Sequence, residues 1–195
     1  MIKDLVKFNR SYRRFYQDEA INIETLTELI DLARLSPSAK NIQAHKFIIS
    51  NNAQRNAEIF ETLAWAGYLP DWKGPVESER PAAYIIILGD RTISSNFDND
   101  YMYTNSGIIS QSILLGAAEK GVGGCIFASI QRKRLAEIYN LPQEFEIMLV
   151  IALGKPKEIV IIDELNEVKS IKYWRDKDQV HHVPKRNLED LILYK

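Results

Sequence analysis

The sequence has only one cysteine, no long apolar run and no excess of charge of either sign. A single cysteine, Cys125, excludes an internal disulfide and fits a reducing compartment, so a cytoplasmic location is expected. Apolar runs such as residues 82–88 are far shorter than the roughly 20 residues that cross a bilayer, so no membrane span is expected. The net charge of −1 provides no basic excess for nucleic acid.

The composition is that of a globular protein. The chain has 195 residues, of which 46% are hydrophobic and 26% charged, so we expect one domain over residues 1–195. The first ten residues contain Lys3, Asp4 and Lys7 without an apolar stretch, which does not match a secretory signal.

Hydrophobic spacing predicts a mixture of helices and strands. Helices are expected over residues 23–35, 53–65, 100–120 and 131–139, with Asn22, Asn52 and Ser129 as caps of the first, second and fourth. Continuous apolar runs predict buried strands over residues 82–88 and 147–153, and shorter runs predict strands over residues 46–50 and 124–127. The tail from Asp163 onward is highly charged, and we expect too few apolar residues for it to dock on its own chain.

Few residues suit nucleophilic or metal chemistry. Cys125 lies in an apolar run, where burial suppresses the reactive thiolate. The adjacent His181 and His182 should point in divergent directions, which does not favour a metal site. The glycines at 121–124 follow a helix and precede a strand, the reverse of the dinucleotide fingerprint.

Four segments could bind a ligand, although each has a plain structural alternative. Residues 9–15 (NRSYRRF) concentrate guanidinium groups that suit a phosphate, or form a solvated basic turn. Residues 36–43 (SPSAKNIQ) offer backbone N–H groups and amides to a heterocycle, or merely end a helix. Residues 121–129 (GVGGCIFAS) allow close backbone approach, or mark a bulge. Residues 182–188 (HVPKRNL) add two cations, or belong to a charged tail.

Taken in order, these segments resemble the nitroreductase family of flavin-dependent oxidoreductases, and the resemblance covers residues 5–193. The first block of that family reads Arg-Arg-Ser-x-Arg-x-Phe, and small residues with Asn and Gln follow. The matching positions are Arg10, Ser11, Arg13 and Phe15, then Pro37, Ser38, Asn41 and Gln43, then Gly121, Gly123 and Cys125, and finally Arg186, Leu188 and Glu189.

The resemblance implies an α+β nitroreductase-like fold. A mostly antiparallel central sheet would be flanked by helices, and a C-terminal extension would wrap the partner subunit of a homodimer that holds FMN. The implied reaction is ping-pong hydride transfer from NAD(P)H through FMN to an electron-poor acceptor such as a nitroaromatic or a quinone. A flavin-fragmenting or dehalogenating enzyme of the same fold, and an FMN storage or sensor protein without turnover, are the alternatives.

The resemblance also assigns cofactor-binding residues and no catalytic side chain, since the chemistry takes place on FMN. Basic and hydroxyl side chains would surround the phosphate and ribityl chain: Arg10, Ser11, Arg13, Lys185 and Arg186. Small and amide residues would line the ring and ribityl chain: Pro37, Ser38, Ala39, Asn41 and Gln43. The backbone of Phe127, Ala128 and Ser129 would meet the hydride-accepting ring nitrogen.

This chain departs from the family pattern at several positions. Asn9 stands where the family often has Arg, Lys40 replaces a small residue, and Ala44-His45 stands where Pro-Trp is common. The aromatic residues of segment 63–72, Trp65, Tyr68 and Trp72, either form a lid over the flavin or fill the core.

Overall fold

The computed structural model describes residues 1–94, 99–165 and 170–194. Its helices are α1 (Ile2–Phe8), α2 (Ile23–Leu35), α3 (Ala53–Phe60), α4 (Arg91–Ser94), α5 (Asn99–Glu119) and α6 (Arg132–Tyr139). Its strands are β1 (Phe15–Tyr16), β2 (His45–Ser50), β3 (Ala83–Asp90), β4 (Gly123–Phe127), β5 (Phe145–Pro156), β6 (Val160–Glu164), β7 (Trp174–Arg175) and β8 (His181–Lys185).

The central sheet has the order β1-β5-β3-β2, with β4 also paired to β5, and every pairing in it is antiparallel. Strand β3 is buried along its whole length because helices cover both faces of the sheet. Ile85 and Ile87 pack in a core with α2 and α5, whereas Tyr84 and Ile86 pack in a second core with α3 and α6. The predicted α+β fold with a mostly antiparallel sheet is confirmed.

The helix predictions hold best where local signals are strong. Helix α2 has the predicted bounds, and the Asn22 side chain accepts a hydrogen bond from the Thr25 amide at 2.8 Å. Helix α3 ends at Phe60, before the predicted residue 65, because Ala64 donates its amide to the Ser129 carbonyl at 3.1 Å. The predicted cap Ser129 does not cap α6, which begins at Arg132 with Gln131 as its N-cap residue.

Helix α5 is the longest helix of the described residues and packs against α2 and β4. Its buried positions are mostly apolar, and they also include Asn105, Ser106 and Ser110. Neither α5 nor any other described helix is long and apolar enough to cross a membrane.

Strands β6, β8 and β7 form a small second sheet on the same chain, with β6 parallel to β8. Polar contacts attach this sheet to the rest of the chain: Glu158 is bonded to Arg175 at 2.9 Å and accepts the backbone N–H of Arg13. The prediction that the tail cannot dock on its own chain is therefore wrong for residues 163–165 and 170–185, where the second sheet and the buried Glu158–Arg175 pair replace the missing apolar area. Beyond it, Leu188, Leu191, Leu193 and Tyr194 are exposed.

Gly154 on β5 provides the space in which Phe15 of β1 is buried. A Cβ atom at Gly154 would lie 2.8 to 2.9 Å from three atoms of Phe15, including its Cβ, so rotation of the ring cannot relieve the overlap. We expect Gly154→Ala to lower the free energy of unfolding by about 1 to 3 kcal/mol. Gly67→Ala is the control, because no heavy atom lies within 4 Å of its added Cβ. Urea denaturation of both variants measures the difference, and equal stabilities would contradict this account of β1.

Candidate functional site

A pocket of about 250 Å³ forms where residues 9–13 meet β4. Ser11 forms an isolated parallel bridge with Gly124, and the Tyr12 amide donates to the Gly124 carbonyl at 3.1 Å. The pocket therefore joins a segment near the start of the chain to β4, α5 and the C-terminal sheet. Its lining residues are Asn9, Arg10, Ser11, Arg13, Gln111, Leu114, Gly124, Ile126, Tyr173, His181, Val183 and Lys185.

The pocket is positively charged. Arg10, Arg13 and Lys185 line it, and no described acidic residue does. None of these cations forms an ion pair with a carboxylate within the described ranges. The Arg10 guanidinium instead donates to the backbone carbonyls of Asn9, at 2.6 Å, and Val6, at 2.8 Å. Three cations with no carboxylate partner among the described residues favour an anionic ligand.

Arg13 is the most constrained of the three cations. Its side chain lies over the Tyr173 ring, with the guanidinium carbon 4.4 Å from the ring centroid. Its Nη1 atom lies 3.2 Å from the Ser11 carbonyl and 2.9 Å from Nε2 of His181. Two of these contacts come from Tyr173, which directly precedes β7, and from His181 of β8, so the C-terminal part of the chain fixes part of the pocket wall.

The two adjacent histidines of β8 have opposite environments, as the sequence predicts. Burial, together with the charges of Arg13 and Arg175, lowers the pKa of His181 to about 3, so its imidazole is neutral. A hydrogen bond to Asp163, 3.0 Å away, raises the pKa of His182 above its usual value. Within the described residues, no group of three or more His, Cys, Asp or Glu is placed to hold a metal ion.

The second predicted block, residues 37–43, does not line this pocket. The Ala39 amide donates to Oδ1 of Asn105 on α5 at 2.9 Å. Asn105 lies six residues before Gln111, which lines the pocket, so the two side chains leave α5 about 9 Å apart along its axis and on different sides. The backbone of this block is strained, since φ is positive at Lys40, Asn41 and Gln43. Such strain in non-glycine residues is concentrated at functional sites.

The third block divides between the pocket and the core. Gly124 and Ile126 of β4 line the pocket, whereas Cys125 and Phe127 pack on the opposite face of the strand. Burial raises the pKa of the Cys125 thiol to about 11, which keeps it protonated. Ala128 and Ser129 follow the end of β4 and do not line the pocket. Of the two cations in the last block, Lys185 lines the pocket and Arg186 is exposed just beyond β8.

Sequence reasoning did not identify Tyr173, His181 and Gln111 as pocket residues. A signal for His181 exists, because His181, Val183 and Lys185 alternate along β8 and therefore share one face of the strand. That signal becomes visible only when the charged tail is recognised as a strand. Nothing in the sequence around Tyr173 or Gln111 distinguishes them.

The aromatic segment contributes to both the core and the pocket rim. Trp65 packs at 4.6 Å from the Phe127 ring and 6.4 Å from the Trp72 ring, measured between ring centroids. Tyr68 is half exposed, lies 5.0 Å from the Tyr173 ring and donates its amide to the Tyr173 hydroxyl at 3.2 Å. Tyr68 is thus the member of this segment that reaches a pocket residue.

Comparison with known proteins agrees with this geometry. A family model described as the nitroreductase family matches residues 6–155. The Bacillus subtilis (strain 168) protein YodC, provisionally named an NAD(P)H nitroreductase, is 23% identical over 177 residues, which cover 78% of this chain and 88% of YodC. A nitroreductase family protein from Clostridium difficile 630 superposes with a TM-score of 0.71 at 18% identity, covering 100% of this chain and 98% of that one. An FMN-dependent nitroreductase from Clostridium difficile R20291 gives a TM-score of 0.62 at 21% identity, covering 79% and 87%.

These comparisons identify the chain as an oxidoreductase. It belongs to the nitroreductase family, whose model matches most of its length. Strands β6, β7 and β8 lie beyond the matched residues, so the Tyr173, His181 and Lys185 side of the pocket comes from outside that region.

Proposed function

We propose that this chain is an FMN-dependent NAD(P)H oxidoreductase that reduces an electron-poor acceptor such as a nitroaromatic or a quinone. The observation that carries the proposal is the pocket in which Arg10, Arg13 and Lys185 converge without a described carboxylate partner. A phosphate monoester carries a charge of about −1.5 to −2 at neutral pH, which three cations can balance. The name of the neighbour from Clostridium difficile R20291 supports the choice of flavin. A cytoplasmic location and a single domain remain predictions.

The pocket residues would hold the phosphate end of the cofactor and the nearby ribityl chain. The guanidinium and ammonium groups would donate to phosphate oxygens, and the Ser11 hydroxyl would serve the polar chain beside them. Lys185 would contribute from β8, and Arg186 from the exposed segment that follows. When bound, FMN would supply two-electron transfer chemistry, so the assigned residues would bind and orient it and none would need to act as a nucleophile.

We further propose that the complete site needs a homodimer. Residues 37–43 do not line the pocket of their own chain, although they carry the strained backbone expected at a binding site. In a twofold dimer this block of one chain would meet the pocket of the other, and the exposed apolar residues at 188–194 would wrap the partner.

The proposed function is tested with the purified protein. We expect a yellow protein with a flavin spectrum, whose apo form binds added FMN. We also expect anaerobic addition of NADH or NADPH to bleach the bound flavin within seconds. Bleaching by one nicotinamide and not the other would identify the preferred donor. Flavin that binds but is not reduced over hours would contradict the enzyme proposal and favour a storage or sensor protein.

The homodimer proposal predicts the state of the protein in solution. We expect sedimentation of the flavin-loaded protein at micromolar concentration to give the mass of two chains, because part of each site would come from the partner. Removal of residues 188–194 should weaken the dimer, since it removes the exposed apolar side chains. A folded, flavin-loaded monomer would contradict this proposal.

Substitution of Cys125 distinguishes a flavin mechanism from a mechanism that uses a nucleophilic thiol. It is 5% exposed, and its raised pKa excludes a standing thiolate at neutral pH. We expect Cys125→Ser to keep stopped-flow reduction of the bound flavin within a few fold of wild type. Its cost should appear as a lower Tm, because a hydroxyl is more costly to bury than a thiol; the loss should stay below the about 1 to 3 kcal/mol of an unpartnered hydroxyl, since the thiol is hydrogen-bonded with the Ser11 side chain. Cys125→Ala is the control without a hydroxyl, and a hundredfold slower reduction at normal Tm would show a catalytic thiol.

A further inference from the structure

We infer that His181 is a positioning residue of this pocket, which holds the Arg13 guanidinium in place without neutralising its charge. The inference deepens the proposed function and rests on it, since the ligand that benefits is the FMN proposed for the same pocket. Three features of the described residues carry it: the direction of one hydrogen bond, the burial of both partners and the donors that remain on Arg13.

The contact between Arg13 and His181 determines the protonation of the imidazole. A guanidinium group has only donors, so at 2.9 Å the Nη1 atom of Arg13 must donate and Nε2 of His181 must accept. An imidazole that accepts through Nε2 is neutral and carries its proton on Nδ1. The Nδ1 atom of His181 is buried and has no hydrogen-bond partner among the described residues. The contact with Arg13 is thus the one described hydrogen bond of this ring.

Both partners are held too tightly to exchange this contact freely. His181 is 0% exposed and Arg13 is 8% exposed. The Tyr173 ring contacts both, with centroids 5.3 Å apart from the His181 ring and 4.4 Å from the Arg13 guanidinium carbon. Arg13 is therefore restrained over one face by Tyr173 and at one edge by His181.

The restraint leaves part of the guanidinium available. The described hydrogen bonds of the Arg13 side chain all use Nη1, which contacts His181 and the Ser11 carbonyl. The N–H groups on Nε and Nη2 remain, and they form the planar pair that recognises two oxygens of a phosphate or carbonyl group. Arg13 lines the pocket, so a ligand there can take these donors.

Fixing Arg13 with a neutral imidazole has a consequence that fixing it with a carboxylate would not have. Arginine is usually fixed by a carboxylate, which would cancel its charge at the site where the ligand binds. Glu158 lies close by but accepts the Arg13 backbone amide and pairs with Arg175. His181 fixes the same guanidinium through a lone pair and places no negative charge against it. The burial and cationic neighbours that lower the pKa of His181 keep it in this neutral form.

The first test uses the wild-type apo-protein and does not involve FMN. Long-range proton–nitrogen NMR of the imidazoles at pH 7 reports the tautomer, and we expect a neutral His181 with its proton on Nδ1. The Arg13→Ala variant should lose this preference. A charged His181 in wild type, or a proton on Nε2, would overturn the inference whatever the protein binds.

The second test measures FMN affinity by titration of apo-protein in a set of variants. His181→Phe keeps a ring but removes the acceptor, and we expect it to weaken FMN binding about tenfold, the scale of one charge-assisted hydrogen bond. His181→Gln restores an acceptor oxygen and should return affinity to within about threefold of wild type. In the Arg13→Ala background, His181→Phe should have no further effect, because His181 acts through Arg13.

The other possible results of these tests each overturn either this inference or the proposed function. Equal losses in the Phe and Gln variants, or effects that add in the double variant, would show that His181 only packs and would overturn the inference. Wild-type affinity in the Phe variant would do the same. A wild-type protein with the expected tautomer that fails to bind FMN would instead overturn the proposed function and, with it, this role of His181 toward the cofactor.

Discussion

Replacement of Glu158 by alanine is expected to lower the free energy of unfolding by about 3 to 5 kcal/mol, the cost of breaking a buried ion pair from one side. The Glu158 side chain is 1% exposed and its partner Arg175 is 7% exposed. One carboxylate oxygen is bonded to Arg175, and the other accepts the backbone amide of Arg13. The alanine variant would leave a buried guanidinium and a buried amide without their acceptor, and both lie where the C-terminal sheet joins the pocket.

Urea denaturation at fixed protein concentration measures this effect, and two variants calibrate it. Glu158→Gln removes the charge and replaces one of the two acceptor oxygens with an NH2 donor, so it can keep one of the two hydrogen bonds and its loss should be smaller. Glu28→Ala breaks the exposed pair between Glu28 and Lys120, for which about 0 to 1 kcal/mol is expected. A Glu158→Ala variant that is no less stable than Glu28→Ala would show that the C-terminal sheet does not depend on this contact.

The second large effect is expected on cofactor binding. Arg13→Ala should lower the affinity for FMN by about 1.5 to 3 kcal/mol, a rise of about 10-fold to 150-fold in Kd. Arg13 is nearly buried in the pocket and restrained by Tyr173 and His181, so little conformational freedom is lost when it binds an anion. Lys185→Ala should act in the same direction with a smaller effect, because its side chain is exposed and flexible.

Equilibrium titration of apo-protein with FMN tests both variants. Lys133→Ala is the matched control, since it removes one positive charge from the exposed side of α6, away from the pocket. Because Arg13 also contacts the C-terminal sheet, each variant should be shown by its Tm to be folded at the titration temperature. Unchanged affinity in both pocket variants would remove the phosphate assignment.

Local signals explain which parts of the fold could be predicted from the sequence. Helix α2 has an apolar stripe at helical spacing and a capping Asn22, and it forms with the predicted bounds. Strand β3 is a continuous branched apolar run, and the structure buries it on both faces. In both elements, the residues that determine the structure lie next to one another in the chain.

The elements that escaped prediction depend on distant contacts. Strand β1 is two residues long and exists because Phe15 fits over Gly154. Strand β8 contains two histidines and a proline, which no apolar pattern marks, and it is held by β6, β7 and the contact with Arg13. Polar contacts of this kind leave no periodic signal in the sequence. The sequence therefore predicts that the charged tail has no partner on its own chain.

The residues of the candidate site likewise divide into those that the sequence predicts and those that it does not. The family resemblance assigns Arg10, Ser11, Arg13, Lys185 and Arg186 to one binding site, and the structure brings all of these except Arg186 to one pocket. The resemblance does not show that residues 37–43 lie apart from them, because it assigns residues to a cofactor and not to one pocket of one chain. Tyr173 and His181 become recognisable only when β8 is seen beside residues 9–13.

The pocket is built from distant parts of the chain, so the order of synthesis determines when it can form in the cell. Residues 9–13 are synthesised well before residues 173–185, and at about 5 to 20 residues per second the interval between them is about 8 to 32 s. Strand β1 also waits for β5, with which it pairs. During this interval the basic segment has neither its aromatic cover nor the carboxylate of Glu158. The flavin site proposed for this pocket would therefore be complete only after β8 has been synthesised.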